Sequence, residues 1–385
     1  MSSTTAARWA ERRSFHHSLY PAARIAAERA VSGLSVSVCL PARGCAETVG
    51  QIVRALAELR EAGAIDEVVV VDAASADGTA AVAERAGAVV WQEAELMPSY
   101  GAVLGKGDAM WRALSVLDGE LVCFLDADTE GFTAHFATGL LGPLVCEPGV
   151  SFVKGFYRRP LTLGVASEAD GGVSAVKRGV SAVTGGDSAV TGGDSAVNGG
   201  DSAVTGGVSA VTSGVSAATG GACGMERGVT DAEGGRVNHL MARPALELFY
   251  PQLAGVRQPL AGEVAARREL LERLPFATGY GVEIGMLIDV WKEVGLEGIA
   301  QVDLEEHRNR HQPLSALTPM ALTVLATIAA RLEREGRLAG SEGAGSADGD
   351  GGETRSPTER QVLARAELPP PAPVERPPLA SVRVT

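Results

Sequence analysis

The order of segments between residues 34 and 165 predicts an α/β fold built on a doubly wound, mostly parallel sheet. Apolar runs of strand length alternate with segments of helical periodicity, as in strands joined by crossover helices. The run EVVVVD, residues 67–72, is apolar without alternation, as expected of a strand buried on both faces. Pro41, Asp72 and Asp126 fall at the ends of three predicted strands, which is the edge where such sheets bind ligands.

The remaining elements follow in chain order. The first half is predicted to contain a helical lead-in (1–33), a strand from 34, a helix (47–62), the strand at 67–72, a short helix after residue 77, a strand (88–91), a helix (106–117) and a strand (120–128). From residue 234 to about 334 the composition is again typical of a folded domain. We predict helices at 237–250, 267–274 and 282–294 and a strand at 298–304.

Composition restricts the classes of partner. The formal charge of −13 argues against nucleic acid, because phosphate binding needs a basic surface. The five cysteines form no CxxC pair, so neither a zinc knuckle nor a disulfide framework is indicated. We find no apolar run of the ~20 residues that a membrane span needs. The N-terminus carries charge where a signal peptide would be apolar, so we expect a cytoplasmic protein with no membrane partner.

A low-complexity insertion occupies residues 166–233. Between residues 173 and 221 it repeats a seven-residue unit such as DSAVTGG. Most units carry a glycine pair, and each glycine disfavours a helix by about 1 kcal/mol, so a coiled coil is not expected. We predict a disordered, expanded loop, with a small repeat-built β structure as the alternative. The tail, 335–385, is rich in Gly, Glu, Ser and Pro and is also predicted to be disordered.

The stretch FLDADTEGF, residues 124–132, holds two carboxylates that could bind a metal. Asp126 and Asp128 lie two positions apart at a strand end, where both side chains can point into one cleft. Mg²⁺ and Mn²⁺ prefer such oxygen ligands and can neutralise a departing diphosphate. The alternative is a solvated acidic turn in which Asp128 caps a helix.

Three further segments carry candidate nucleotide-binding groups. LPARGCAET (40–48) could line a base or ribose, or be only a Pro/Gly turn. VVDAASADGT (70–79) places a carboxylate where it can accept a base N–H, unless it serves only to cap the next helix. GKGDAMWR (105–112) puts Lys106 at a helix start, where a cation suits a diphosphate, although a surface lysine is the alternative.

Taken together, these motifs resemble the nucleotide-binding half of a GT-A glycosyltransferase and, within that class, the retaining glucosyl-3-phosphoglycerate synthase family. The resemblance covers about 34–165 and 234–325 and leaves out the repeat and the tail. It extends into the second half through SFVKGFYRRPL (151–161), GGRVNHLMARP (234–244), QPLAGE (258–263), LPFATGYGVEIG (274–285) and HRN (307–309). It implies a nucleotide-sugar-binding domain at 34–165 and a smaller acceptor-binding region at 234–334.

The resemblance also implies roles for individual residues. The expected substrates are UDP-glucose, with GDP-glucose as an alternative donor, and 3-phosphoglycerate; the expected cofactor is Mg²⁺ or Mn²⁺, and the expected assembly is a homodimer. Asp128 and His307 would bind the metal, and the catalytic groups would be Lys106, Asp126 and Glu283. The nucleotide-sugar site would comprise Pro41, Ala42, Asp72, Lys106, Asp126, Ala127, Tyr280 and Glu283. The acceptor site would comprise Gly235, Arg236, Asn238 and Asn309.

The chain departs from the family pattern on both the nucleoside side and the acceptor side. Cys45 and Ala73 replace a glutamate and a serine on the nucleoside side, and each missing hydrogen bond is worth about 0.5–1.5 kcal/mol. Glu305 and Glu306 stand where the family has an arginine, which is unfavourable beside an anionic acceptor. A related transferase, such as a mannosyl-3-phosphoglycerate synthase, and a non-catalytic nucleotide-binding relative therefore stay open as alternatives.

Overall fold

The computed structural model describes residues 2–160, 231–233, 235–308, 314–338 and 374–382. The chain divides into two compact units, Met1–Arg159 with Ala232–Thr385, and Pro160–Asp231. The first of these units carries the sheet and the candidate site. The heptapeptide repeat lies outside the described residues, so its expected disorder stays a prediction.

The described residues form ten α-helices and eleven strands. The helices are α1 Ser2–Arg13, α2 Ala22–Ser32, α3 Val49–Glu61, α4 Thr79–Ala86, α5 Lys106–Ala113, α6 His135–Cys146, α7 Arg243–Phe249, α8 Arg268–Arg273, α9 Val282–Val294 and α10 Leu314–Arg334. The strands are β1 Ser14–His16, β2 Val36–Ala42, β3 Glu67–Asp72, β4 Val89–Gln92, β5 Leu121–Phe124, β6 Phe152–Pro160, β7 Asp231–Glu233, β8 Val264–Arg267, β9 Phe276–Ala277, β10 Ile299–Glu306 and β11 Glu375–Arg376.

The main sheet confirms the predicted α/β class. Its strands follow the order β1-β10-β6-β8-β5-β2-β3-β4, with β7 paired to β6 off this path. The pairings along that order are parallel except those of β8, which is antiparallel to both of its neighbours, β5 and β6. The C-terminal half therefore contributes β8 and β10 to the same sheet as the nucleotide-binding half.

Alternate side chains of the strands pack into two apolar clusters. Along β3, Val69 and Val71 belong to one cluster, which also contains Trp111 of α5. Val68 and Val70 belong to the other cluster, which contains residues of α3. Successive side chains of a strand point to opposite faces, so a strand covered on both faces needs apolar residues at every position. This explains the unbroken apolar run that predicted β3.

The lead-in, 1–33, is mostly helical as expected, but it also contains a strand that the sequence did not predict. Ser14–His16 pair in parallel with β10, with Ser14 opposite Gln301 and His16 opposite Asp303. The Gln301 amide donates to Ser14 Oγ over 2.9 Å. A three-residue strand is too short to show alternation, so partner contacts determine it.

The prediction of a fully disordered tail is wrong for residues 374–382. Glu375 and Arg376 form β11, which pairs antiparallel with β9, and Leu379 is buried. Trp111 donates its indole N–H to the carbonyl of Pro377 over 2.8 Å. Low-complexity composition dominates the tail, but this short segment carries apolar and cationic side chains that find partners in the fold.

The described residues contain one helix that is long and apolar enough to cross a membrane, by length and composition only. It covers Ser315–Arg334, with a mean hydropathy of 1.4. About a quarter of that window, 28%, is buried, and Val324 and Ile328 pack into an apolar cluster. Arg331 of this helix is buried and makes an ion pair with Asp289 of α9 over 2.5 Å.

Candidate active site

The carboxyl ends of three neighbouring strands bring the predicted donor-site residues together. Ala42 at the end of β2 lies opposite Asp72 at the end of β3. Asp126 follows β5, which pairs with the other side of β2. The hydroxyl of Thr48 donates to the carbonyl of Ala127 over 2.6 Å and so joins the loop after β2 to the loop after β5.

Asp72 is prepared to accept a hydrogen bond from a ligand. The side chain is 1% exposed, and its Oδ2 accepts from the Ser75 amide over 3.0 Å. Its Oδ1 is buried and has no hydrogen-bond partner among the described residues. An orphaned buried acceptor is costly, and a base N–H would satisfy it. Pro41, half-buried, and Ala42, buried, lie at the end of the adjacent strand.

Cys45 does not reproduce the carboxylate that the family has at this position. The side chain is 6% exposed, and its thiol donates to the carbonyl of Arg43 over 3.3 Å. Burial raises the pKa of Cys45 to about 11, so the thiol is neutral near pH 7. Its backbone N–H donates to Thr79 Oγ1 over 2.8 Å. Cys45 is therefore a packed residue that joins the two nucleoside-side loops.

Lys106 lies between two carboxylates. Its Nζ is 2.5 Å from Asp126 Oδ1 and 3.2 Å from Glu283 Oε1. Burial alone would lower the pKa of Lys106, but the charges of Asp126 and Glu283 outweigh it and raise the pKa well above its ordinary value. The ammonium is thus permanently charged, and it lies at the first residue of α5.

The backbone at two glycines lies so close to neighbouring atoms that it leaves little space around Lys106 and Asp126. A Cβ added to Gly262 would lie 2.5 Å from Lys106 Nζ and 2.6 Å from Asp126 Oδ1. A Cβ added to Gly107 would lie 2.0 Å from the carbonyl oxygen of Ala277. Gly107 therefore requires glycine, because its close neighbour is backbone, whereas a Cβ at Gly262 would displace the ends of the Lys106 and Asp126 side chains.

His307 is buried among aromatic and polar side chains, near Lys106 and its carboxylate partners. Its ring stacks on Tyr157 at 4.4 Å between centroids and meets Phe136 edge to face at 5.7 Å. Its Nε2 lies 3.0 Å from Glu263 Oε1 and 3.0 Å from Thr129 Oγ1. The imidazole therefore has one orientation: its Nε2 hydrogen-bonds Thr129, while Glu263 lies beside it as a charge partner whose carboxylate oxygens make no hydrogen bond among the described residues.

The arrangement fits a divalent cation. His307 Nδ1 is buried and has no hydrogen-bond partner in the part of the chain that the structure describes. A ligating histidine usually gives its second ring N–H to a carboxylate, and Glu263 supplies one here. Asp128 offers an exposed carboxylate in the same loop as Thr129, although desolvation and the charge of Asp126 raise its pKa. Asp128 and His307 would supply an oxygen and a nitrogen ligand, and this role stays a prediction.

The structure also brings groups to this site that the sequence did not assign. Glu263 is 1% exposed, and burial would raise its pKa, but His307 and Lys106 lower it to about 2. Lys154 is buried and donates to the carbonyl of Ala261 over 2.8 Å, and burial lowers its pKa to about 8. The segments QPLAGE and SFVKGFYRRPL contained both residues, but no spacing rule marked them because their partners are distant in sequence.

The expected acceptor residues are partly described. Gly235 is half-buried, and Arg159 Nη1 would lie 3.6 Å from a Cβ added there. Arg236 is exposed, whereas Asn238 is buried, donates to the Arg257 carbonyl over 3.3 Å and has an Oδ1 without a described partner. Asn309 lies outside the described residues.

Tyr280 and Glu283 lie at the start of α9. Tyr280 is 51% exposed in the short 3₁₀ turn Gly279–Gly281, so its ring is free to cover a ligand. Glu283 lies in the first turn of α9, with its carboxylate facing Lys106.

Glu305 and Glu306 are both engaged with other residues. Glu305 Oε1 lies 3.3 Å from His17 Nε2 and 3.5 Å from His16 Nε2, in the lead-in. Glu306 accepts from the Arg308 guanidinium over 2.5 Å. The repulsion expected between these carboxylates and an anionic acceptor is therefore reduced by their partners.

A doubly wound sheet with a DxD loop, a lysine and a histidine at its carboxyl edge defines a nucleotide-sugar transferase of the GT-A class. Residues 37–136 match the family model described as glycosyl transferase family 2. Glucosyl-3-phosphoglycerate synthase of Petrotoga mobilis is 34% identical over 330 residues, 85% of this chain and 82% of that protein. The corresponding protein of Mycobacterium tuberculosis is 37% identical over 304 residues, 79% and 75% of the two chains. The chain belongs to the glucosyl-3-phosphoglycerate synthase family.

Two solved structures extend the comparison. Mannosyl-3-phosphoglycerate synthase from Rubrobacter xylanophilus is 42% identical, with a TM-score of 0.66, and the match covers 86% of this chain and 85% of that one. Glucosyl-3-phosphoglycerate synthase from Mycobacterium tuberculosis, in complex with Mn²⁺, UDP-glucose and phosphoglyceric acid, is 31% identical, with a TM-score of 0.62 and 94% coverage of both chains.

Proposed function

We propose that this protein is a metal-dependent, retaining hexosyltransferase that moves glucose from UDP-glucose to the 2-hydroxyl of 3-phosphoglycerate. The main support is the position of Lys106, whose Nζ lies 2.5 Å from Asp126 Oδ1 and 3.2 Å from Glu283 Oε1. His307, paired with Glu263, lies beside this cluster. Two of the relatives named above are glucosyl-3-phosphoglycerate synthases, and one such synthase was solved in complex with Mn²⁺, UDP-glucose and phosphoglyceric acid.

The unpaired carboxylate oxygen of Asp72 supports the proposed donor site. Its Oδ1 accepts the N3–H of uracil, while Pro41 and Ala42 border the base. Guanine also presents N–H donors, so GDP-glucose is the alternative donor. Tyr280 and Glu283 contact the sugar, with the carboxylate of Glu283 accepting from its hydroxyls.

The leaving diphosphate is stabilised by positive charge. Lys106 keeps its proton and so gives a fixed cation near the developing charge on UDP. Asp128 and His307 hold Mg²⁺ or Mn²⁺, which when bound neutralises diphosphate charge as a Lewis acid. Glu263 holds the orientation of His307 and so fixes the ligand direction.

The acceptor end uses groups from the C-terminal half. Arg236 and Asn238, with Gly235 and Asn309, bind the phosphate and carboxylate of 3-phosphoglycerate. They hold the acceptor hydroxyl on the face of the sugar from which UDP departs. Transfer on that face retains the configuration, and the departing phosphate takes the hydroxyl proton.

No covalent intermediate is required by this arrangement. Asp126 is engaged by Lys106 and Glu283 shares the same ammonium, so neither carboxylate is a free nucleophile. We therefore favour a front-face mechanism over double displacement. A cytoplasmic homodimer is the assembly that we propose.

A donor and acceptor panel tests the proposal. Turnover is measured with UDP-glucose, GDP-glucose and GDP-mannose against 3-phosphoglycerate and other small hydroxy acids, with Mn²⁺ or Mg²⁺, and the anomer is read by NMR. We expect α-linked product from UDP-glucose and 3-phosphoglycerate. Turnover only with a mannosyl donor or another acceptor would favour a related transferase, the alternative that the mannosyl neighbour supports.

Calorimetry with UDP separates both enzymes from a non-catalytic relative. We expect UDP to bind more tightly in the presence of Mn²⁺, because a cation held by Asp128 and His307 would offset the charge of the diphosphate. Lys106→Met is the comparison variant; it should weaken UDP binding, and its thermal midpoint without ligand is measured alongside because the change leaves Asp126 and Glu283 without their cation. Absence of any metal-dependent UDP binding would contradict the enzymatic proposal.

A further inference from the structure

A second cluster of metal-binding side chains lies outside the candidate active site. His16 and His17 follow α1 in the lead-in, and Glu305 lies near the end of β10. Candidate ligand atoms of the three residues all lie within 4.8 Å of one another. We propose that His16, His17 and Glu305 form a binding site for a divalent transition metal, with Zn²⁺ as the best-suited ion.

The spacing of the ligand atoms fits a tetrahedral ion. Glu305 Oε1 lies 3.5 Å from His16 Nε2 and 3.3 Å from His17 Nε2. Tetrahedral ligands about 2.0–2.1 Å from zinc are separated by about 3.3–3.4 Å. A cation can therefore sit between the three atoms with small side-chain adjustments, and water would complete the fourth position.

The imidazoles can present Nε2 to a metal. His16 Nδ1 accepts from the Ser18 N–H over 3.2 Å and lies 2.7 Å from Ser18 Oγ, so metal binding through Nε2 would move the ring proton to Nδ1, where Ser18 Oγ can accept it, and would give up the backbone bond. His17 Nε2 is buried from solvent and has no hydrogen-bond partner among the described residues. The His135 ring packs at a tilt against the His17 ring, with 4.3 Å between centroids, but its Nε2 contacts the Leu304 carbonyl over 3.1 Å. His135 therefore orients His17 and is not a ligand.

The backbone at Glu305 has a left-handed conformation that directs its carboxylate toward the two imidazoles. Glu305 has a φ of 63°, one of three non-glycine residues with positive φ in the described chain. Its N–H donates to Asp303 Oδ1 over 2.8 Å, which stabilises the bend. The bend interrupts the pairing register of β10 with β6 between Asp303 and Glu306. It leaves the carboxylate beside the two imidazoles.

The ligand set distinguishes this cluster from the active site. Two imidazoles and one carboxylate suit Zn²⁺ and related transition metals, whereas Mg²⁺ prefers oxygen ligands alone. A metal here would join β1 to β10 two positions before His307. The site is thus placed to stabilise the attachment of the lead-in and the strand that carries an active-site histidine.

The test uses Co²⁺ and Zn²⁺ with the full chain after chelator treatment. Asp128→Asn serves as the background, because it removes a carboxylate of the active site. We expect one equivalent of Co²⁺ to give the intense visible bands of four-coordinate cobalt, and Zn²⁺ to displace it. On this background Glu305→Gln, which keeps the side-chain shape, should weaken binding by about tenfold or more, since even outer-shell changes have that effect.

The matched control is Glu306→Gln, which removes a neighbouring exposed carboxylate and should bind as the background does. A second ligand variant, His16→Gln, should lose the cobalt bands, and thermal midpoints without metal identify any misfolded variant. Added metal should raise the thermal midpoint of the Asp128→Asn background and of Glu306→Gln on that background. It should not raise the thermal midpoint of Glu305→Gln or His16→Gln. The proposal is overturned if the background binds no stoichiometric Co²⁺, or if Glu305→Gln and Glu306→Gln bind equally well.

Discussion

Replacing Arg376 with alanine should destabilise the protein through the C-terminal segment 374–382. The guanidinium donates to both oxygens of Asp108, over 2.7 Å and 2.5 Å, and also to the carbonyls of Tyr100 and Ala102. Asp108 is completely buried. The substitution therefore removes one partner of a buried charge.

The expected loss follows from the partners that remain. Breaking a buried ion pair from one side usually costs about 3–5 kcal/mol, because the other charge is left unpaired. Here Arg112 still donates to Asp108 over 3.1 Å, and the Leu104 N–H donates over 2.9 Å. We therefore expect Arg376→Ala to lower the free energy of unfolding by about 3 kcal/mol, near the lower end of that range.

The assay is thermal unfolding, combined with hydrogen exchange at the backbone amides of β9 and β11. The matched control is Arg334→Ala, whose side chain is 47% exposed and pairs with Glu375 over 3.1 Å. An exposed pair is worth about 0–1 kcal/mol, so this variant should stay close to the wild type. Equal thermal midpoints and equal exchange for the two variants would refute the reasoning.

Three further outcomes follow from the site. Asp128→Asn should lower turnover by about 100-fold or more at saturating Mn²⁺, because several kcal/mol of charge stabilisation is lost; an unchanged kcat would exclude Asp128 as a ligand. Gly262→Ala should reduce kcat/KM by about 10–100-fold, since its Cβ would displace Lys106, whereas the thermal midpoint should change little; equal kinetics would contradict the close approach. Burial would raise the pKa of Asp108, but hydrogen bonds from Arg376 and Arg112 lower it. The ionised Asp108 therefore stabilises the folded protein above the ordinary pKa range of a carboxyl group. This contribution is lost as the pH falls below about 4. The difference in unfolding free energy between wild type and Arg376→Ala should therefore narrow in acid, and a constant difference down to pH 3 would argue against it.

The sheet was predictable because its signals are local. A continuous apolar run marked β3, and strand-end residues such as Asp72 and Asp126 marked the ligand edge. The DxD loop and Lys106 were recognisable as a pair only through their order along the chain, and the structure brings Lys106 within 2.5 Å of Asp126. The roles given to the individual site residues stay predictions.

The contributions of Glu263 and of the segment 374–382 could not be predicted in the same way. Glu263 acquires its importance from His307, 44 positions later, and no local period encodes that contact. Arg376 reaches Asp108 across 268 positions, from a tail whose composition suggests disorder. Such contacts depend on the tertiary arrangement, which single-sequence periodicity does not contain.

The central position of β8 has a consequence for synthesis. Its neighbours β5 and β6 end by residue 160, but β8 begins at Val264, more than a hundred residues later. During translation β5 therefore keeps one unpaired edge until β8 leaves the ribosome, and β6 also waits for β10, so the sheet presents unpaired strand edges that promote aggregation. Nascent chains that stop before Val264 should need a chaperone to stay soluble, and the segment 37–136 that matches the family model should not fold by itself.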